Sequence, residues 1–440
     1  ESKTMFSRKD IIILGMMIFA LFLGAGNIIF PPMEGFSSGQ HWTSASLGFV
    51  LTGVLMPFIT LVVVAILGRG EELTKDLPKW AGTGFLVILY LTIGSTFAMP
   101  RITNVAYEMA WLPLGLTENN ANVRFVFSLI FNLIAMGFMI SPNTIISSVG
   151  KFMTPALLVL LIAVAITVFI SPLSEIQAPS NAYENSHSLL IGLTSGYQTM
   201  DVLAAIAFGG IVARALSAKN VTKTKDIVKY TISAGFVSVI LLASLYFSLF
   251  YLGATSAAVA EGATNGGQIF SRYVNVLFGS AGTWIMAGII VLASLTTLVG
   301  VTSASADYFS KFSVRFSYPF WAALFTAMTI TVSQYGLTDL LRITIPALLL
   351  IYPVAIVLVL LQFLRKKLPS IKFTYNSTLL VTVCFSLCDS LNNVKMLPES
   401  INSLLKHFPL SSEGMAWLVP TLVMLVASIF IGKALHKTHS

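Results

Sequence analysis

The chain has 440 residues, 56% of them hydrophobic and only 10% charged, with a mean hydropathy of +0.85. That balance excludes an ordinary water-soluble globular protein and points to an all-α, polytopic membrane protein. The net charge of +8 needs no nucleic-acid partner, because membrane proteins use lysine and arginine in their loops to set orientation.

Twelve apolar spans are expected, against the roughly 20 residues that a hydrocarbon core requires. The first six are 11–36, 43–67, 82–110, 122–141, 144–171 and 188–213, and the second six are 227–253, 278–306, 317–334, 338–362, 374–391 and 414–434. A cytoplasmic N-terminus places twenty of the twenty-six basic residues on one face, from Lys3, Arg8 and Lys9 to Lys433 and Lys437. Arg101, Arg124, Arg272, Arg342, Lys395 and Lys406 fall in the spans or on the other face. Both termini are therefore predicted to be cytoplasmic. The first run is too long for a signal peptide and lacks a cleavage site, so it is expected to stay as the first span.

That run contains Leu23 to Pro32, LGAGNIIFPP, which puts two glycines, an asparagine and two prolines inside a membrane helix. Gly24 and Gly26 predict a flexible backbone there. A helix that unwinds in lipid must satisfy its freed N–H and C=O groups with protein, water or ligand. A half-helix restarting near Asn27 would turn its positive dipole end to the gap, and upstream carbonyls would be free for a cation. The competing reading is that the glycines only let a neighbouring helix approach.

The third span, GSTFAMPRITNVAYE, carries Arg101, Asn104, Tyr107 and Glu108, and ionisable groups at such depth are expensive and usually functional. Arg101 and Glu108 are two turns apart and can share an interior stripe. Alternatively, Glu108 sits near the outer interface and Arg101 pairs with backbone carbonyls. The sixth span contains TSGYQTMD, Thr194 to Asp201, and predicts a second break. Asp201 has no basic neighbour in its own span before Arg214, so it needs a coupling cation, a proton or a distant partner. In the eighth span, Ala293, Thr296 and Thr297 fall at i, i+3 and i+4 on one face, where a carbonyl and two hydroxyls suit a hard monovalent cation. Thr302 and Ser303 offer a competing pair, and hydroxyls in membrane helices commonly bond their own backbone instead. Tyr107, Tyr197 and Thr199, with aliphatic neighbours, would line a largely apolar pocket with few polar anchors.

Matching breaks in the first and sixth spans predict two five-helix units, 1–171 and 172–372, the second inverted because five crossings reverse the direction of the chain. Residues 373–440 supply two further helices and a tail. Cys384 and Cys388, one turn apart in an apolar run, imply neither a disulfide framework nor a zinc site. The five histidines lie at span ends, in loops or in the tail, so no histidine relay or metal cluster is expected.

Together, GAGNIIFPP, AMPRITNVAYE, GYQTMDVLAAIAFG and LTTLVGVTSASADYF resemble the bacterial branched-chain amino acid:cation symporter family, along nearly the whole chain. Ser95 departs from that family's third-span GP pattern, which leaves the local helix geometry open. The resemblance implies a LeuT-type 5+5 inverted repeat of the amino acid-polyamine-organocation superfamily, with helices 1 and 6 broken. It also implies that Gly24, Ala25 and Gly26 offer backbone groups to a substrate carboxylate, with Asn27 as an ion or substrate ligand and Tyr197 and Thr199 on the opposite wall. The Ala20 and Leu23 carbonyls, with Ala293, Thr296 and Thr297, would form a sodium site, the alternative register using Thr302 and Ser303. Asp201, Glu108 and Arg101 are the candidate coupling or gating charges.

The expected function is thus import of leucine, isoleucine and valine across the bacterial cytoplasmic membrane, coupled to sodium by alternating access. Proton coupling of the same substrates is one alternative, and a non-concentrating channel or an amino acid sensor is another. The only cofactor expected is the coupling ion itself, Na+ or H+. No enzyme activity is expected, and no obligatory protein partner is evident.

Overall fold

The computed structural model describes residues 6–140, 151–184 and 187–438. The start of the fifth predicted span (144–150), the last residue of the fourth (141), Lys3 and His439 lie outside the described residues. Within them the chain is helical throughout, with no strand.

Nine helices among the described residues are long and apolar enough to cross a membrane, or ten with the bent pair Ser188–Thr199 and Asp201–Ser217. Arg8–Phe22, at 15 residues, and Tyr318–Ser333, at 16 residues, fall short of a full span by length. They complete the expected twelve as the first part of the first span and as the ninth span.

The first span is broken as anticipated. Its opening helix Arg8–Phe22 starts on a capping box between Ser7 and Asp10. It gives way to extended backbone at Leu23 and Gly24, a single 3-10 turn at Ala25–Asn27, and then the helix Phe30–Ser38. Pro31 and Pro32 stand at the start of that second helix, where a missing N–H costs nothing. Gly24 has φ −126° and ψ 152°, extended backbone open to any residue, and a Cβ there would meet nothing within 4 Å.

The sixth span runs as helix over Ser188–Ser195, a 3-10 turn over Gly196–Thr199, and helix again from Asp201. The two arms differ in direction by 41°. Met200 makes the corner in the left-handed region at φ 59°, which costs a residue with a side chain about 1–2 kcal/mol. Burial of Met200 at 2% exposure offsets that cost.

Two further irregularities were not expected. The second span, from Trp42 to Leu67, passes through a π-turn at Leu51–Leu55. The third, from Lys79 to Trp111, is interrupted by a π-turn at Thr92–Thr96, where Gly94 leaves helical geometry at φ −102° and ψ −132°. This is the neighbourhood of Ser95, so the departure from the family pattern coincides with a real kink. The helix Gly266–Ser310 is longer than the predicted eighth span, because a preceding helix whose Ile269, Phe270, Tyr273 and Val274 are buried is joined to it through Gly279 at φ 70°.

Glycines dock the broken spans on intact ones. A Cβ on Gly35 would lie 2.0 Å from the carbonyl oxygen of Phe250, in the seventh span Thr224–Ala254, and one on Gly253 would lie 2.0 Å from that of Pro32. Gly48 of the second span and Gly192 of the sixth are similarly placed, at 2.0 Å from Leu189 and 2.1 Å from Ala45. In hydrocarbon, where the hydrophobic effect does not drive helices together, such close backbone approach is what makes their packing favourable. The first span thus packs on the seventh and the sixth on the second, the exchange of partners that two repeated five-helix units require.

Candidate functional site

The two breaks face each other, and the side chain that joins them is Asn27. Its amide nitrogen donates to the carboxylate oxygens of Asp201 at 3.3 and 3.1 Å and to the carbonyl of Phe22 at 3.2 Å. The Phe22 carbonyl belongs to the last turn of the opening helix and has lost its helical partner where the chain unwinds. Asp201 opens the second arm of the sixth span, where the helix dipole favours a negative charge. Asn27 and Asp201 are 6% and 5% exposed, so neither has water as an alternative partner.

Arg101 supplies the opposite charge from the third span. It donates through Nη1 to the Gln198 carbonyl at 2.5 Å and through Nη2 to the Asn27 side-chain oxygen at 3.4 Å. Its guanidinium lies 5.1 Å from the Phe30 ring centroid, a cation–π distance. Arg101 therefore ties both breaks together while its Nε remains buried without a partner. The Tyr246 hydroxyl is buried beside Asp201 and Asn27. Thr199 donates to Gly196 at 3.0 Å and accepts from the Asp201 amide at 3.3 Å, fixing the sixth-span turn. Tyr197 stacks on Tyr352 with ring centroids 4.7 Å apart. The Tyr352 hydroxyl accepts from the Val202 amide at 3.2 Å and donates to the Thr52 carbonyl at 3.0 Å, linking the sixth-span break to the π-turn of the second span.

Not every sequence candidate joins this cluster. Arg101 and Glu108 do not pair: Glu108 accepts from Asn265 at 3.2 Å, while Arg101 takes a backbone carbonyl, as the alternative reading anticipated. Tyr107 lies with Glu108, donating to Asn119 at 3.0 Å under the Arg124 guanidinium. Ala25 and Gly26 are buried at the first break, and a Cβ on Gly26 would lie 3.6 Å from Arg101 Nε.

Among the ion candidates, Leu23 and Ala293 are buried whereas Ala20 is exposed. Thr296 and Thr297 donate to Leu292 and Ala293, each at 2.9 Å, which leaves their oxygen lone pairs free to accept. Thr302 donates to Leu298 at 2.7 Å and lies 3.5 Å from the Met99 sulfur. The Ser303 hydroxyl is buried without a partner and lines a cavity of about 570 Å3 bounded by Arg69, Arg214 and Asp307. No cluster of three or more His, Cys, Asp or Glu residues suited to a metal occurs among the described residues. Sequence reasoning missed Phe30, Gln198, Tyr246 and Tyr352, which carry no local signal and become relevant only when the spans pack.

Paired mid-membrane breaks, cross-linked by an amide, a carboxylate and a guanidinium, define a broken-helix membrane transporter. Comparison of the whole structure bears on the fold: it superposes on MHP1, a nucleobase-cation-symport-1 family transporter in a closed conformation with bromovinylhydantoin bound, at a TM-score of 0.63 and 14% identity, covering 97% of this chain and 93% of that one. The fold is of the LeuT type, a 5+5 inverted repeat with two additional helices. The branched-chain amino acid transport protein family model matches residues 7–435, and the chain belongs to that family. Relatives include the Pseudomonas aeruginosa branched-chain amino acid transport system 3 carrier protein, 36% identical with 98% of this chain and 97% of that protein covered. Another is the Escherichia coli K12 branched-chain amino acid permease BrnQ, 34% identical over 97% and 96%.

Proposed function

We propose that the chain imports leucine, isoleucine and valine by sodium-coupled symport. The observation that carries this reading is the pair of facing breaks, with Arg101 Nε buried and unpartnered beside them. A zwitterionic substrate would use what the breaks leave free. Its carboxylate would meet the backbone of Gly24, Ala25 and Gly26, with Asn27 beside it, and its aliphatic side chain the wall containing Tyr197 and Thr199. Sodium would take the Ala20 and Leu23 carbonyls with Ala293, Thr296 and Thr297, and in the other register Thr302 and Ser303.

Sodium at the first break would order the unwound segment and raise affinity for the amino acid. By linkage the amino acid raises sodium affinity by the same factor. The three substrates differ by single methylenes, worth about 1–3 kcal/mol, so overlapping transport is expected. No substrate bond changes, and the chain is not an enzyme. The repeats are assigned to 1–171 and 172–372, with 373–440 as the added part, in a bacterial cytoplasmic membrane with both termini inside. Asp201, buried against Asn27, favours proton coupling as the second reading.

The test is leucine uptake into proteoliposomes under a sodium or a proton gradient imposed separately, with the membrane potential clamped. Accumulation driven by sodium alone supports the proposal, and Thr297→Ala should then raise the half-saturating sodium concentration about tenfold. Accumulation driven by protons alone and abolished by Asp201→Asn establishes the second reading. Equilibration without concentration would indicate a channel, and binding without movement a sensor.

A further inference from the structure

A cavity of about 420 Å3 adjoins the sixth-span break, whose Tyr197 and Gln198 line it together with Glu34 of the first span, the tenth span Leu337–Leu364, the eleventh span Ile371–Asn393 and the segment leading to the twelfth. Its volume is that of a small-ligand site. The charged residues lining it are Glu34, Asp389 and Glu413, and among the described residues no lysine, arginine or histidine lines it.

The three carboxylates are not equivalent. Glu34 accepts from the Tyr183 hydroxyl and Glu413 from Ser412 at 2.7 Å. Asp389 is 3% exposed; its Oδ1 accepts from the Ala416 amide at 3.4 Å, and the Trp417 amide also lies beside the carboxylate. Its Oδ2 is buried without a partner. The Tyr197 hydroxyl and the Trp417 indole nitrogen are buried nearby, beside each other. An unpaired carboxylate oxygen inside a membrane protein is too costly to be retained without a compensating proton or cationic partner.

The cavity supplies room for one. Asn392 and Asn393 also line it and offer neutral amide oxygens, and Ile345, Leu348 and Leu349 give it an aliphatic wall. One free carboxylate among neutral oxygens suits a single positive charge. A divalent ion would call for more charged ligands around it, and among the described residues no three His, Cys, Asp or Glu side chains come together closely enough to hold a metal ion.

We propose that Asp389 binds a small singly charged cationic group in this cavity, either a monovalent metal ion or the primary ammonium of an amino acid. The site adjoins the one between the breaks, sharing Tyr197 and Gln198 with it, but does not depend on the transport reading. It has a route to that centre, since Tyr197 lines the cavity while its ring stacks on Tyr352, and Tyr352 holds the Val202 amide just past the sixth-span break.

The experiment uses the full chain in lipid nanodiscs. Trp417 emission, isolated by difference from a Trp417→Phe variant, is followed while sodium chloride replaces choline chloride, and separately while isopentylammonium chloride does. A saturable change with at least one of the two is expected. Sodium alone identifies an ion site, and isopentylammonium alone identifies a substrate-ammonium site. The midpoint should rise at least tenfold in Asp389→Asn and stay within twofold in Asp201→Asn, which alters the central cluster only. Should Asp389→Asn not fold, Asp389→Glu keeps the charge and should retain saturation with a shifted midpoint. Absence of a saturable signal with both cations in the wild type would overturn the proposal. So would an unchanged midpoint in Asp389→Asn, or a response lost in Asp201→Asn alone.

Discussion

Replacing Asn27 and Asp201 by alanine, singly and together, tests whether their hydrogen bond is what joins the two broken spans. A hydrogen bond to a charged group contributes about 1.5–3 kcal/mol in soluble proteins, whereas interhelical bonds inside membranes average about 0.6 and reach about 1.7 kcal/mol. The contacts here, at 3.1 and 3.3 Å, fall on both oxygens of one carboxylate, so they share a single amide donor. They count as one moderately long bond rather than two. Its acceptor is charged and its burial nearly complete, which places the coupling where the two ranges meet, at about 1.5 kcal/mol, or roughly tenfold in an equilibrium constant. Each single variant should cost more than that, because Asn27→Ala also frees the Phe22 carbonyl and Asp201→Ala removes the carboxylate nearest Arg101. The assay is reversible unfolding in mixed micelles, with the interaction taken from the double-mutant cycle. Additivity within about 0.3 kcal/mol would refute the reasoning and show that the breaks are held by helix packing alone.

Gly24→Ala and Gly35→Ala should separate an open break from a packed interface. A Cβ on Gly24 meets nothing within 4 Å, so its unfolding midpoint should be unchanged. Gly35→Ala drives a carbon into the Phe250 carbonyl and should lose about 1–3 kcal/mol, as overpacking does; equal thermal stability of the two would contradict this. Arg101→Lys keeps the charge but cannot reach Gln198 and Asn27 together while lying over Phe30, because lysine carries a point charge and not a planar fork. Its leucine uptake at saturating substrate should fall at least tenfold with normal membrane insertion, and full activity would remove Arg101 from its proposed role.

The break in the first span was legible because Gly24, Gly26 and two prolines interrupt an otherwise apolar run, and lipid allows few reasons for that. Asp201 was legible for a similar cause: a carboxylate far from any basic residue in its own span must find its partner elsewhere. The identity of that partner was not. Asn27 and Asp201 are 174 residues apart, and no local pattern encodes which side chains meet when two helices from different halves pack. Arg101 shows the same division, since its depth marked it as important while its pairing, with Gln198 and not Glu108, was a matter of where the third span lies. Glu108 and Tyr107 look like site residues in sequence because they share a segment with Arg101, yet two turns of helix carry them to Asn265 and Asn119.

The sequence by itself determined that the chain spans a membrane many times, where its helices run, and that the first and sixth of them unwind. These follow from local hydropathy and from backbone groups that lipid cannot satisfy. Only the tertiary structure decided which polar groups meet at the breaks, that Met200 rather than a glycine turns the sixth span, and that Asp389 keeps an oxygen free beneath a second cavity. Each of those depends on packing between segments distant in sequence, and packing is a property of the assembled helices.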